Sequence, residues 1–239
     1  MKVLCFDIWG DYGHFRKFYT TSSPLTFSFP PPPTICGIIG AIYGSDKNEY
    51  LKVFSLYRCR LSLRIVTPVK KVRMGINLIN TKDKRWSLYR DRYHEPRTQI
   101  RTEFLKNPHF RIYFTHENEN ILEKLASLLK EHKAVYTVSL GLSEFLADFE
   151  YKGTYDAEYI SDSALVDLST PILWSNMIHD GLEVEEDKKY FKEKMPIVMN
   201  QERIVERYDD VIFEPQGKTI KAKVNTYCYL ENGEKITFF

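Results

Sequence analysis

Residues 2–9 alternate between two apolar sets, Leu4, Phe6 and Ile8 on one side and Val3, Cys5 and Trp9 on the other. The pattern predicts a strand buried on both faces. A polar loop over 10–29 ends in four consecutive prolines, Pro30–Pro33, which impose an extended, rigid approach. Thr34 then suits an N-cap, Ile35, Ile38, Ile39 and Ile42 form a helical stripe, and Gly44 suits the stop. The opposite side of this helix is small: Gly37, Gly40 and Ala41. Helical glycines cost roughly 1 kcal/mol each relative to alanine, so their presence predicts a backbone, of protein or RNA, approaching closely.

Tyr57–Val66 predicts a strand with Tyr57, Cys59, Leu61, Leu63 and Ile65 inward and Arg58, Arg60, Ser62 and Arg64 outward. Residues 68–96 keep no steady period and are crowded with Lys, Arg and Asn, which predicts a projecting hairpin. The segments 97–105 and 109–116 read as a strand pair joined across Lys106-Asn107-Pro108. Asn120 and Glu123 open a helix whose apolar face is Ile121, Leu122, Leu125, Leu128 and Leu129, and 134–140 returns as a strand. Strand–helix–strand–strand–helix–strand is the ferredoxin-like or RRM-like plan, which hosts many functions.

After about Tyr151 the chain becomes acidic, with short β-rich pieces and a charged helical stretch near 184–194. Residues 219–229 alternate, and Asn232-Gly233 is a hairpin turn leading into 236–239. The expected fold class is therefore α+β: an RRM-like or ferredoxin-like domain over 1–150 with a projecting basic hairpin near 68–96, and a smaller acidic β-rich domain over 151–239. The longest apolar stretch, 35–43, is under half the ~20 residues needed to span a bilayer. With no signal-peptide pattern, and with Cys5, Cys36, Cys59 and Cys228 scattered as buried thiols of a reducing compartment, a soluble cytoplasmic protein is expected.

Charge sharpens the picture. Residues 1–133 hold 23 Lys and Arg against 12 Asp and Glu, a balance of +11, while 134–239 hold 11 against 20, a balance of −9. Within 58–111 there are 15 basic and 4 acidic residues. A basic half concentrated in one segment fits a polyanion binder. There is no phosphate-binding glycine loop, His-Glu-x-x-His, paired CxxC or serine elbow, and the six histidines fall at no metal-ligand spacing, so neither cofactor nor metal is expected. What remains is basic residues interleaved with aromatics. The candidate RNA-binding residues are Phe15, Arg16, Lys17, Arg58, Arg60, Arg64, Lys71, Arg73, Arg85, Trp86, Arg90 and Arg92. Cations grip phosphates while rings stack on bases, worth roughly 1–3 kcal/mol per base. The alternative for the Arg58/Arg60/Arg64 row is a solvated face or salt-bridge donors, and for Phe15 and Phe18 it is a place in the core.

The ordered run Gly13-x-Phe15-Arg16, then Thr20 and Thr21, then Phe29-Pro30-Pro31-Pro32-Pro33-Thr34-x-x-Gly37-Ile38-Ile39-Gly40-Ala41-Ile42-Tyr43-Gly44, resembles the N-terminal signature of CRISPR-associated family five (Cas five). These are RAMP-superfamily proteins of type I Cascade complexes. The similarity is dense over 7–45, with a shorter echo at Leu140-Gly141-x-Ser143-Glu144-Phe145. It implies a non-catalytic subunit that caps the complex and binds the single-stranded 5′ handle of crRNA. Such a subunit contacts the backbone and large subunits, has no membrane partner, and uses a thumb-like hairpin, here at 68–96. A type I-C branch of the family cuts repeat RNA without metal, using a tyrosine near the end of the first helix and a Lys-His pair. Tyr43 stands at a comparable place, but Phe114-Thr115-His116-Glu117 has no lysine before the histidine. Tyr43 and His116 are thus the only catalytic candidates, and a metal-independent endoribonuclease is the alternative to binding without cleavage.

Overall fold

The computed structural model describes residues 1–81, 89–90, 92 and 95–239. Strand β1 (Lys2–Trp9) runs through the middle of the main sheet because it is apolar on both sides. Leu4, Phe6 and Ile8 are fully buried beneath helices α1 (Pro32–Tyr43) and α3 (Glu119–Lys130), whose Ile35, Ile39, Ile42, Leu125 and Leu129 complete that core. Val3 and Cys5 are buried on the other face with Tyr113, Cys228, Leu230 and Ile236. The sheet order is β15 (Lys235–Ile236), β14 (Tyr227–Leu230), β7 (Asp148–Ile160), β1, β6 (His109–His116), β3 (Cys59–Ile65), with every pairing antiparallel. The fold is mixed α/β, mostly strand with few helices.

α1 begins two residues before Thr34. Pro31 is its N-cap, and prolines fill the first positions, where a fixed φ suits the helix and a missing N–H costs nothing. At its end Gly44 takes φ 92° and returns its N–H to the Gly40 carbonyl, as the sequence predicts. α3 is capped by Asn118, whose side chain accepts from the Asn120 N–H at 3.0 Å.

Three sequence expectations are corrected. Residues 134–140 form no strand of the sheet: the Tyr136 and Val135 N–H groups go to the carbonyls of Ala41 and Ile42, which the end of α1 leaves unpaired. The strand after α3 is β7 instead, and it runs across the expected boundary near 151. Strand β5 (Arg97–Lys106) does not pair with β6. It pairs with β4 (Lys71–Ile79) over their whole length and with β2 (Tyr12–Gly13) at its end. The reason lies in the faces: β6 is buried on both sides and belongs inside a sheet, whereas β5 keeps one polar face, Arg97, Gln99 and Arg101, suited to a two-sided ribbon. Finally, 184–194 is not helical. It is a turn followed by β11 (Phe191–Met199), and Pro196 would have broken any helix continuing there.

β11 pairs with β12 (Val205–Phe213), which pairs with β9 (Ile172–Leu173). A further small sheet has the order β10 (Met177–Leu182), β13 (Ile220–Val224), β8 (Leu165–Leu168) around Val166, Leu168, Ala222 and Val224.

Candidate nucleic-acid interface

The β4–β5 ribbon sorts its residues by register. Met74 opposite Thr102 and Ile76 opposite Ile100 share one face, while Arg73 opposite Glu103, Gly75 opposite Arg101 and Asn77 opposite Gln99 share the other. That second face is cationic, but not all of its charge is free. Arg73 lies 3.4 Å from Glu103, and Lys71 lies 3.7 Å from both Glu103 and Glu193 while donating to the Thr26 carbonyl at 2.9 Å. Burial lowers the Lys71 pKa despite the two carboxylates. Arg97 and Arg101 are exposed and carry no ion pair among the described residues. They were missed in the sequence, although the period-two run Arg97-Gln99-Arg101 could have marked them. Arg90 pairs with Glu95 at 2.8 Å on the surface, and Arg92 is exposed. Arg85 and Trp86 lie outside the described residues, as does most of the expected hairpin tip.

The loop over 10–29 lies at the root of this ribbon. Phe15 is 3% exposed and packs 6.5 Å from the Phe110 ring, with its N–H on the Thr26 hydroxyl, so it is a core residue and is withdrawn as a base-stacking candidate. Arg16 is exposed, and its Nη2 donates to the carbonyls of Thr20 (3.0 Å) and Thr21 (3.4 Å). Lys17 turns inward. Its side chain is 12% exposed and meets Glu193 at 3.2 Å; burial opposes the charged form, and Glu193 outweighs it, so the pKa is raised. Glu193 also accepts from the Ser28 hydroxyl (2.9 Å) and N–H (3.2 Å). One carboxylate of β11 thereby ties down the first loop and the base of the ribbon. Phe18 and Tyr19 remain outside, 53% and 58% exposed.

The Arg58/Arg60/Arg64 row divides. Arg58 is exposed and 3.9 Å from Glu117, and Arg60 lies 5.3 Å over the Tyr159 ring. Arg64 instead donates to Glu234 at 2.6 Å, beside a network in which Arg111 grips Asp7 through two bonds (2.7 and 3.2 Å) and His109 and Lys152 approach the same carboxylate. Arg64 is thus a salt-bridge donor, linking β3 to the turn before β15 across the main sheet, rather than an outward cation.

On α1 the small face is met first by this chain. A Cβ on Gly40 would stand 2.9 Å from the Tyr50 Cβ, so a residue of helix α2 (Tyr50–Phe54) makes the close approach predicted there. Beyond Tyr50 a cleft of ≈ 320 Å³ opens between Gly37, Ala41 and the segment at Ser139. The catalytic candidates stay apart. Tyr43 and His116 both pack on the Phe54 ring (5.4 and 6.1 Å), and Lys124 stands 3.9 Å over Tyr43. His116 is 8% exposed, with Nδ1 accepting from the Asn118 N–H at 2.9 Å and Nε2 donating to the Val53 carbonyl at 3.0 Å. Both nitrogens are therefore engaged in holding the entry to α3. Among the described residues no three His, Cys, Asp or Glu side chains gather as a metal site, and no helix is long and apolar enough to cross a membrane.

Comparison with known proteins places these features. Residues 3–212 match the family model described as CRISPR-associated protein (Cas_Cas5). No curated protein matches. Among solved structures, the chain is similar to one from a CRISPR RNA-guided surveillance complex, with 10% identity, a TM-score of 0.54, and 92% of this chain and 91% of that one covered. It is also similar to a CRISPR protein from Archaeoglobus fulgidus, with 15% identity, a TM-score of 0.55, and coverage of 99% and 98%. At these identities the structural likeness is one of fold, and the family model is what assigns the sequence. Matched over nearly its whole length, the chain belongs to the CRISPR-associated Cas5 family.

Proposed function

We propose that this protein is a non-catalytic subunit of a type I CRISPR surveillance complex (Cascade). In it, the chain binds the single-stranded 5′ handle of crRNA and contacts the backbone and large subunits in the cytoplasm. In this reading β1, β3, β6 and β7 with α1 and α3 form a ferredoxin-like platform, the β4–β5 ribbon is its thumb, and the acidic strands after β7 brace it. The observation that carries the reading is the pair Arg97 and Arg101, exposed on one face of the β4–β5 ribbon without a carboxylate partner among the described residues. Family membership supplies the setting. The engagement of both His116 nitrogens favours binding over repeat cleavage.

The test is affinity for single-stranded repeat RNA as a function of salt. Arg97→Ala and Arg101→Ala should each weaken binding and flatten the slope of log K against log salt by about 0.7 for every phosphate no longer neutralised. Lys52→Ala, an exposed lysine of α2, serves as the control. Equal effects from all three would remove the ribbon from the RNA site. A specific RNA fragment accumulating in EDTA, and abolished in Tyr43→Phe, would replace the binding reading with the endoribonuclease one.

A further inference from the structure

The first loop carries Arg16, which has no carboxylate partner among the described residues, two positions before an exposed ring cluster that the ribbon does not include. Phe18 lies 5.1 Å from Tyr19 at an interplanar angle of 89° and 4.9 Å from Tyr208 of β12 at 53°. The three rings nevertheless remain 53%, 58% and 40% exposed. The cluster joins two parts of the chain that are 190 residues apart in sequence, so it is a feature of the folded surface.

The backbone beneath it is fixed. Arg16 bridges Thr26, the Lys17 N–H reaches the Leu25 carbonyl at 2.9 Å, the Thr20 hydroxyl reaches the Lys17 carbonyl at 2.8 Å, and Lys17 is anchored on Glu193. A loop this well tied could have turned Phe18 inward, as it does Phe15. Instead it presents the ring, which lowers the entropy lost on binding. Arg16 is held the same way. Its Nη2 is occupied by two backbone carbonyls, and no acidic side chain pairs with it among the described residues. The remainder of its five N–H donors are open to an anion.

We infer that Phe18, with Tyr19 and Tyr208 around it, is the stacking surface for one unpaired base, whose phosphate is taken by Arg16. A nucleotide presents an anion and a flat aromatic surface together, which is what this loop offers in complement. The carboxylates nearby are engaged elsewhere: Glu206 accepts from the Tyr57 hydroxyl at 3.0 Å and Asp210 meets Lys192 at 3.0 Å. A protein segment would need a carboxylate beside an apolar side chain to meet both groups, whereas every nucleotide carries the anion and the flat ring together.

This inference rests on the RNA-binding reading, and the experiment separates the two. The full-length chain is titrated with single-stranded repeat RNAs, each carrying one fluorescent purine analogue or one abasic position in turn. One position should show quenched fluorescence with the wild type, and abasic substitution there should weaken binding about 5- to 100-fold. Phe18→Ala should cause a similar loss with the salt slope unchanged, and should cost nothing further on the abasic RNA. Phe18→Leu should behave like Phe18→Ala, since it keeps the apolar bulk but not the ring. Arg16→Ala should flatten the salt slope instead. If the wild type binds no RNA, the functional reading itself fails. If it binds and Phe18→Ala binds equally, only the stacking site is refuted. Normal RNA affinity in Phe18→Ala, joined to loss of a partner subunit on co-purification, would overturn it in favour of a protein contact.

Discussion

Glu193 is the most instructive single residue to remove. Its side chain is 14% exposed and sits between Lys17 at 3.2 Å and Lys71 at 3.7 Å while accepting twice from Ser28. Breaking a buried ion pair by deleting one partner costs about 3–5 kcal/mol, because the other charge is left without compensation. Two features reduce that here. Lys71 keeps Glu103 at 3.7 Å, and the lysine side chains, 12% and 27% exposed, can be reached by water. The lost Ser28 bonds act in the opposite direction, at about 1 kcal/mol each. A net loss of about 3 kcal/mol is expected for Glu193→Ala, which for a chain of this size lowers Tm by roughly 6–12 °C. Glu193→Gln keeps an acceptor for the Ser28 hydroxyl and should lose about half as much. Adding Lys17→Met to Glu193→Ala should recover about 1 kcal/mol or more, since the stranded ammonium is then gone. Scanning fluorimetry and calorimetry at neutral pH measure these proteins together with the single variant Lys17→Met, which completes the cycle. A Tm for Glu193→Ala within ~1 °C of the wild type, or strict additivity in the double variant, would refute the assignment of a buried hub.

Two further outcomes follow from buried polar groups. The Tyr113 hydroxyl is buried without a hydrogen-bond partner among the described residues, so Tyr113→Phe should leave the melting temperature unchanged or raise it, by up to about 1 kcal/mol of stability; a clear loss would mean the hydroxyl is bonded. His14 is 6% exposed with Nδ1 2.8 Å from the Glu103 carbonyl, and burial holds its pKa below the usual value. A depressed folded pKa means the unfolded chain takes up the proton first. This stability is therefore present above pH ~6.5 and lost as pH falls below it toward the folded value. His14→Gln should show a shallower loss of Tm on acidification than the wild type, and identical slopes would dismiss the effect.

Local patterns in the sequence report burial well and partnership poorly. The stripe Ile35, Ile38, Ile39, Ile42 and the face Leu122, Leu125, Leu129 are buried as their spacing requires. The alternation of β3 likewise places Cys59, Leu61, Leu63 and Ile65 inside, but Tyr57, expected inward, lies exposed before the strand, and Ser62, expected outward, is fully buried. Which strand meets which is set by competition among faces far apart in sequence, and this is why the pattern points β5 at β6 while the fold gives it to β4. Residues 134–140 look like a strand because Val138 and Leu140 are buried, yet their segment answers the open carbonyls at the end of α1. Phe15 and Phe18 cannot be told apart in the sequence, both being phenylalanines beside basic residues in a polar loop. Only the position of Phe110 makes one of them core. The same holds for Lys17, whose partner Glu193 is 176 residues away.

That distance bears on how the charge asymmetry acts. A balance of +11 in residues 1–133 and −9 in 134–239 makes the acidic half a poor phosphate ligand, suited to docking a protein or supporting the core. The ion pairs favour the supporting role. Glu193 takes Lys17 and Lys71, and Glu234 takes Arg64 and approaches Arg111 at 4.0 Å. Acids of the second half thus neutralise basic residues of the first where the two meet, in partly buried sites where screening is weak. Among the described residues, Arg16 on the first loop and Arg97 and Arg101 on the ribbon are exposed cations left without a carboxylate. Reversing a carboxylate at the joint, as in Glu193→Lys, would therefore harm RNA binding through a loosened loop and not through removal of a phosphate ligand. Under the proposed role, affinity would fall together with Tm while the salt slope kept its wild-type value. Arg101→Ala would do the reverse, changing the slope at constant Tm.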